Sequence, residues 1–191
     1  AESRGRHHRA LPRLAMPPAD SAPARVAVVT GGARGIGRAI GAWFLAAGWR
    51  VALLDRERAT LARTVAELGP PDALLGVDAD VSDPDQVAAS VEAVVARFGR
   101  VDALVNNAGV AVFKPVLDTS FAEWREVMAT NLDGAFLCTQ AYAPVMVRGG
   151  GGAVVNIASI SGLRASTLRI AYGTSKAALI HLTKQHAVEL G

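Results

Sequence analysis

The segment Thr30-Gly31-Gly32-Ala33-Arg34-Gly35-Ile36-Gly37 follows directly on the apolar run 26–29 and opens a helical pattern that reaches Gly48. A strand that turns through glycines straight into a helix is the first half of a βαβ unit, and it leaves few folds open to the chain. In such a turn Gly31 takes the tight bend, Gly35 lets the backbone approach a pyrophosphate, and Gly37 permits close helix–strand packing. The helix start presents unpaired N–H groups and a positive dipole end to an anion. A glycine cluster by itself reads as a turn; its place between strand and helix makes this one a phosphate cradle, with Arg34 and Ile36 set between the glycines.

The same rhythm continues downstream. Strands are expected over 25–30, 50–54, 73–79, 101–105 and 153–158, and helices over 35–48, 59–68, 84–98, 121–147 and 171–190. Ser82 or Asp83 caps the third helix, and Ser120 with Glu123 opens the fourth. Strand–helix alternation at this spacing means a parallel sheet covered on both faces. Right-handed crossovers make it a doubly wound α/β fold.

Composition closes several alternatives. The chain has 191 residues and a formal net charge of +3. Arg4, Arg6, Arg9 and Arg13 against Glu2 account for all of that charge within residues 1–15, so the remainder is neutral. A neutral body has no basic stripe for a nucleic-acid backbone, whatever the isoelectric point of about 9.5 suggests. No apolar run approaches the ~20 residues of a membrane span. The single cysteine, Cys138, excludes an internal disulfide framework and fits a reducing, cytoplasmic setting. Four scattered histidines have no metal-ligand spacing, so no metal is expected. Residues 1–24 read as a disordered basic and Pro-rich leader, and 25–191 as one domain. Met16 reads as the natural start, with an Arg-rich transit peptide as the alternative.

Chemistry concentrates at strand ends and on the last helix. Asp55 closes the second strand, close to twenty residues past the glycines, where a carboxylate accepts from an adenosine ribose 2′-hydroxyl and repels a 2′-phosphate. That favours NAD; Arg34 and Arg56 could each reach a 2′-phosphate, which keeps NADP as the alternative. Asp80-Val81 and Asn106-Asn107-Ala108-Gly109 follow the third and fourth strands, where open α/β sheets bind ligands. Tyr172 and Lys176 stand four apart and so share a helix face. An ammonium ~4 Å from the phenol, at an effective dielectric of ~20, supplies about 4 kcal/mol toward release of its proton. That makes Tyr172 a general acid/base for an alcohol or carbonyl. Ser159 precedes the tyrosine by thirteen residues.

These motifs resemble the classical short-chain dehydrogenase/reductase family over about residues 25–191, with Asn131-Leu132-Asp133-Gly134 as a further match. The resemblance implies a Rossmann-type sheet in the order 3-2-1-4-5, and a nicotinamide-dependent oxidoreductase acting on a small secondary alcohol or ketone. A 3-oxoacyl-thioester reductase is the alternative within the family. It implies adenine contacts from Asp80 and Val81, and a cofactor cleft lined by Asn107, Ala108 and Gly109. It also implies a tetrad of Asn131, Ser159, Tyr172 and Lys176. Tyr172 is the acid/base, Ser159 binds the substrate oxygen, Lys176 assists the tyrosine and binds the nicotinamide ribose, and Asn131 holds a water in the proton relay. Ser161 is off the family spacing and reads as a helper or surface residue.

Family members continue past the point that corresponds to Gly191 into further strands. The chain is therefore expected to be a fragment or truncated product, aggregating and inactive alone and homo-oligomeric when extended. The rival from another class is a non-catalytic dinucleotide-binding or inactive fragment. Other residues read as structural. Cys138 is expected to be buried packing, Trp43 and Phe44 core rather than a ligand platform, His181 and His186 too far apart around the helix for a metal pair, and Arg169 a surface residue rather than a substrate clamp.

Overall fold

The computed structural model describes residues 24–191; the leader expected over 1–24 lies almost wholly outside them. Five strands form one parallel sheet: β1 Val26–Thr30, β2 Arg50–Asp55, β3 Leu74–Asp78, β4 Ala103–Asn106 and β5 Ala153–Asn156. Their order is β3-β2-β1-β4-β5, as the resemblance implies. The helices are α1 Gly35–Ala46, α2 Arg58–Leu68, α3 Pro84–Phe98, α4 Phe121–Met128, α5 Gly134–Arg148 and α6 Ile170–Leu190.

Period-two alternation sorts the strand side chains onto two faces. Val26, Val28, Ala52, Leu54 and Leu104 pack with Val87, Val94 and Phe98 of α3 and Cys138, Tyr142 and Val145 of α5. Val29, Val51, Leu53 and Val105 face the other way, onto Ile40 and Phe44 of α1 and Leu61 and Val65 of α2. Central strands buried on both faces are why 26–29 reads as continuously apolar rather than alternating.

Three expectations are corrected. The fourth helix is not one unit over 121–147: α4 and α5 are joined by a π-helical turn, Ala129–Asp133, whose wider ladder carries Asn131. The fourth strand starts at Ala103 rather than Val101, because Asp102 turns its carboxylate onto the Val26 amide (2.8 Å) and the Arg100 guanidinium. Trp43 is 64% exposed and outside the core. Neighbouring helix residues point about 100° apart, and Phe44 takes the inward direction, stacking on Trp49.

The capping expectations hold. Asp83 caps α3 by accepting from the Asp85 and Gln86 amides. Ser120 and Glu123 form a reciprocal capping box on α4, and Lys114 pairs with Glu123. The Lys114 ammonium and the Ser120 donors lower the Glu123 carboxyl from an ordinary 4.5 to about 2. A folded-state value below the unfolded one means stability that is present above pH 4.5 and is lost as pH falls toward 2. Glu123→Gln should therefore flatten this part of the acid-unfolding profile. An NMR titration of Glu123 with a midpoint near the ordinary value would contradict the assignment.

Candidate active site

The glycine turn sits at the C-terminal end of β1. Gly31 and Gly35 both lie in the left-handed region (φ 64° and 56°), where glycine carries no steric penalty. A Cβ at Gly37 would stand 2.2 Å from the Gly31 carbonyl oxygen, so only glycine lets α1 start this close to the loop. The first turn of α1 has no acidic residue and no side-chain cap, leaving its amides directed outward. Thr30, which sequence reasoning passed over, ties the loop to β4: its hydroxyl accepts from the Asn107 and Ala108 amides, both at 3.0 Å. The Asn107 side-chain amide donates in return to the Thr30 and Gly31 carbonyls at 2.9 and 3.2 Å.

A cleft of about 310 Å³ runs along the strand ends, from Gly31, Arg34 and Ile36 past Asp55 and Arg56 to Asp80, Val81 and the Asn107–Gly109 segment. It also takes in Leu54, Ala79, Val110 and Thr130, apolar or small residues that no sequence motif marks. Asp55 is held by two amides, Ala33 on Oδ2 and Glu57 on Oδ1, each at 2.9 Å. A carboxylate has about four acceptor positions, so the aimed oxygens retain capacity for a diol.

Arg56 points elsewhere. Its guanidinium bonds Asp80 at 3.2 Å and reaches Glu126 of α4 at 3.6 Å. The Asp80 bond leads in raising the Arg56 pKa above its ordinary value. Burial opposes the charge on Asp80, but bonds from Ser82 and Arg56 outweigh it and hold the carboxyl below the usual range. Glu126 was invisible as a site residue because seventy positions separate it from its partner.

The second half of the site stands on α6. Lys176 is buried, 4% exposed, and its ammonium donates to the Ile157 carbonyl at 2.7 Å. Burial pushes its pKa down. The nitrogen lies 5.9 Å from the Tyr172 ring centroid, confirming that the two residues share a face. A Cβ added to Gly109 would stand 3.7 Å from the same nitrogen, so Lys176 reaches the cleft wall. Ser159 follows β5, and its hydroxyl accepts from the Ser161 amide at 3.2 Å. The short turn Ile160–Gly162 packs directly on α6: a Cβ at Gly162 would meet the Lys176 main chain at 2.7 Å. Ser159 is thereby set against the helix that carries Tyr172.

Asn131 is 1% exposed and spends its side chain on structure. Oδ1 accepts from the Val110 amide, while Nδ2 donates to the Val110 carbonyl and to Ser175. Ser175 in turn donates to the Tyr172 carbonyl, linking the β4 loop to α6. The only other tyrosine, Tyr142, is fully buried against Ser90. Burial raises its pKa, and its hydroxyl is taken up by Ser90. Cys138 is buried as expected, its thiol pushed up to about 12 by burial and so unreactive at neutral pH. Arg169 departs from its surface reading: it is half-buried and stacks 4.8 Å from the Phe113 centroid.

A parallel sheet in this order, with a glycine cradle at the first strand end and the Ser159, Tyr172 and Lys176 group beyond the fifth, defines a Rossmann-type α/β protein. The chain belongs to the short chain dehydrogenase family, whose profile matches residues 25–191. It is 40% identical over 87% of its length to D-threitol dehydrogenase of Mycolicibacterium smegmatis, and 45% identical over 86% to 2-(R)-hydroxypropyl-CoM dehydrogenase of Xanthobacter autotrophicus. A short chain dehydrogenase/reductase from Burkholderia phymatum, solved in complex with NAD, superposes with a TM-score of 0.81 at 34% identity over 85% of this chain. The chain spans 65% and 68% of the two curated relatives and 59% of the solved one.

Proposed function

We propose that this chain, as a dinucleotide-binding domain over 25–191, serves transfer of hydride between a nicotinamide dinucleotide and a small secondary alcohol or ketone. The observation that carries the reading is the reach of Lys176: one ammonium stands beside the Tyr172 ring and at the Gly109 wall of the cleft. The cradle fits a dinucleotide, because a Cβ at Gly35 would meet nothing within 4 Å, and that open space and the uncapped α1 start suit a diphosphate. When bound, the nicotinamide supplies the hydride donor or acceptor.

The chain's own residues handle the proton. In reduction the Ser159 hydroxyl donates to the substrate carbonyl, and the Tyr172 phenol transfers its proton to that oxygen as the carbon is reduced. In oxidation the same phenol oxygen, deprotonated, takes the alcohol proton. Lys176 sets its ammonium beside the Tyr172 ring, held there by the Ile157 carbonyl. Asn131 acts by position, holding the Val110 loop and Ser175 in register with α6. A homo-oligomer is supported by the apolar groove between α5 and α6, where Phe136, Val147 and Leu190 are exposed.

The dinucleotide is NAD on this reading. Asp55 is fixed by two amides toward the cleft, and Arg56 is committed to Asp80 and Glu126 rather than to a 2′-phosphate. One charge-assisted hydrogen bond is worth about 1.5–3 kcal/mol, so kcat/KM for NAD should exceed that for NADP by about tenfold or more. Initial rates with a panel of secondary alcohols and each dinucleotide test both claims. No turnover with any alcohol by the chain extended to the length of its relatives sinks the hydride-transfer reading, and an NADP preference sinks the role given to Asp55.

A further inference from the structure

Two guanidinium groups face a small cavity beside Ser159. About 240 Å³ in volume, it is lined by Ser159, Ile160, Ser161, Arg164, Ser166 and Arg169. A neighbouring cavity of about 280 Å³ shares both arginines and continues to Gly173 and Ala177 of α6. Neither wall contains a carboxylate. Among the described residues Arg164 and Arg169 form no ion pair, a state they share with Arg34, Arg50, Arg97 and others; what sets these two apart is that both line one cavity beside Ser159. Two like charges around one cavity, without an acid between them, form a site whose missing partner is an anion.

Arg169 is also preorganised. Phe113 supports one face of its guanidinium, which leaves the N–H edge to bind. The main chain at Arg169 bridges Lys114, and Leu168 before it is the only non-glycine residue at positive φ (61°) among those described. Leucine avoids that conformation, and the main-chain bridge from Arg169 to Lys114 fixes the chain on one side of it. A planar fork held in place binds carboxylate, sulfonate and phosphate oxygens in pairs.

We propose that Arg169, assisted by Arg164, binds an anionic group on the substrate, so that the chain acts on short secondary alcohols and ketones carrying a carboxylate, sulfonate or phosphate. This rests on the hydride-transfer reading for the role of Ser159. Because Ser159 and Arg169 line the same cavity, the anion is placed a few carbons from the reacting centre. Arg169 is a specificity residue here, acting on binding rather than on the proton.

The test compares acetoacetate, acetone sulfonate and acetonylphosphonate with neutral methyl propyl ketone in reduction by NADH. At least one anion should have a kcat/KM about tenfold or more above the neutral ketone, the size of one charge-assisted hydrogen bond in a half-exposed site. Arg169→Gln should lower that ratio about tenfold through KM, Arg164→Gln less, and Arg169→Lys should restore part of it. Calorimetric binding of propionate and propanesulfonate reads the site without turnover, and thermal melts check that each variant folds. Equal use of neutral and anionic ketones, or an anion preference that survives in the double Gln variant, overturns the proposal. So does the absence of both anion turnover and anion binding. Anions that bind the wild type but not Arg169→Gln, with no ketone reduced, support the anion site and count against hydride transfer.

Discussion

In the chain extended to the length of its relatives, Tyr172→Phe should remove nearly all turnover, lowering kcat/KM by about 10²–10⁴-fold, while leaving NAD affinity within about twofold. Positioned acid/base catalysis supplies a factor of that size, and the change deletes one oxygen. Among the described residues the phenol makes no hydrogen bond within the chain, so its loss strands no buried partner. Stability should move by less than about 0.5 kcal/mol, as for a surface substitution. Tyr142 cannot replace it, being sealed in the core against Ser90. The measurement is steady-state kinetics alongside equilibrium titration of NAD and a urea melt. Turnover retained within a few-fold would show that the proton travels another way, with the Ser159 hydroxyl the next candidate.

Gly37→Ala should cost about 2–4 kcal/mol of stability and weaken dinucleotide binding more than tenfold. The added carbon would lie 2.2 Å from the Gly31 oxygen and 2.6 Å from Asn107 Nδ2. Neither atom can yield cheaply. Asn107 donates to both the Thr30 and Gly31 carbonyls, and Thr30 accepts from the next two amides across the loop. Overpacking costs about 1–3 kcal/mol, and two strained hydrogen bonds add about 1 kcal/mol each. Alanine's better helix propensity returns about 1 kcal/mol. The comparison is Gly35→Ala, where a Cβ meets nothing within 4 Å and the cost is that of a left-handed alanine, about 1–2 kcal/mol. Urea midpoints and NAD titrations of the two variants separate close approach from conformational strain. If they lose equally, close approach at Gly37 is not what the loop requires.

Local patterns carried the fold. Apolar runs of strand length, separated by helical patterns, specify parallel strands joined by crossovers, and a single handedness leaves few orders to choose from. The glycine cradle, Asp55, and the pairing of Tyr172 with Lys176 were legible for the same reason: each is defined by backbone conformation or by neighbours within one turn. Cys138 was legible too, since its helix offers nothing to stabilise a thiolate.

What required the tertiary structure was every choice made between distant segments. Whether Trp43 or Phe44 faces the sheet depends on how α1 is rotated against β2, and Phe44 packs, partly buried, against the cluster that holds Leu53 while Trp43 stays out. Arg56 could reach a phosphate on sequence grounds; only folding brings Asp80 and Glu126 to it from two other elements. Asn131 sits in a helical pattern, yet its place in a π turn lets it tie Val110 to Ser175. Arg169 has no local partner in sequence, and Phe113, fifty-six residues earlier, turns it from a surface charge into one wall of a cavity. Periodicity and turn chemistry act within a few residues and can be read along the chain. Ion pairs, stacking and cavity walls depend on distances that exist only after the sheet has assembled.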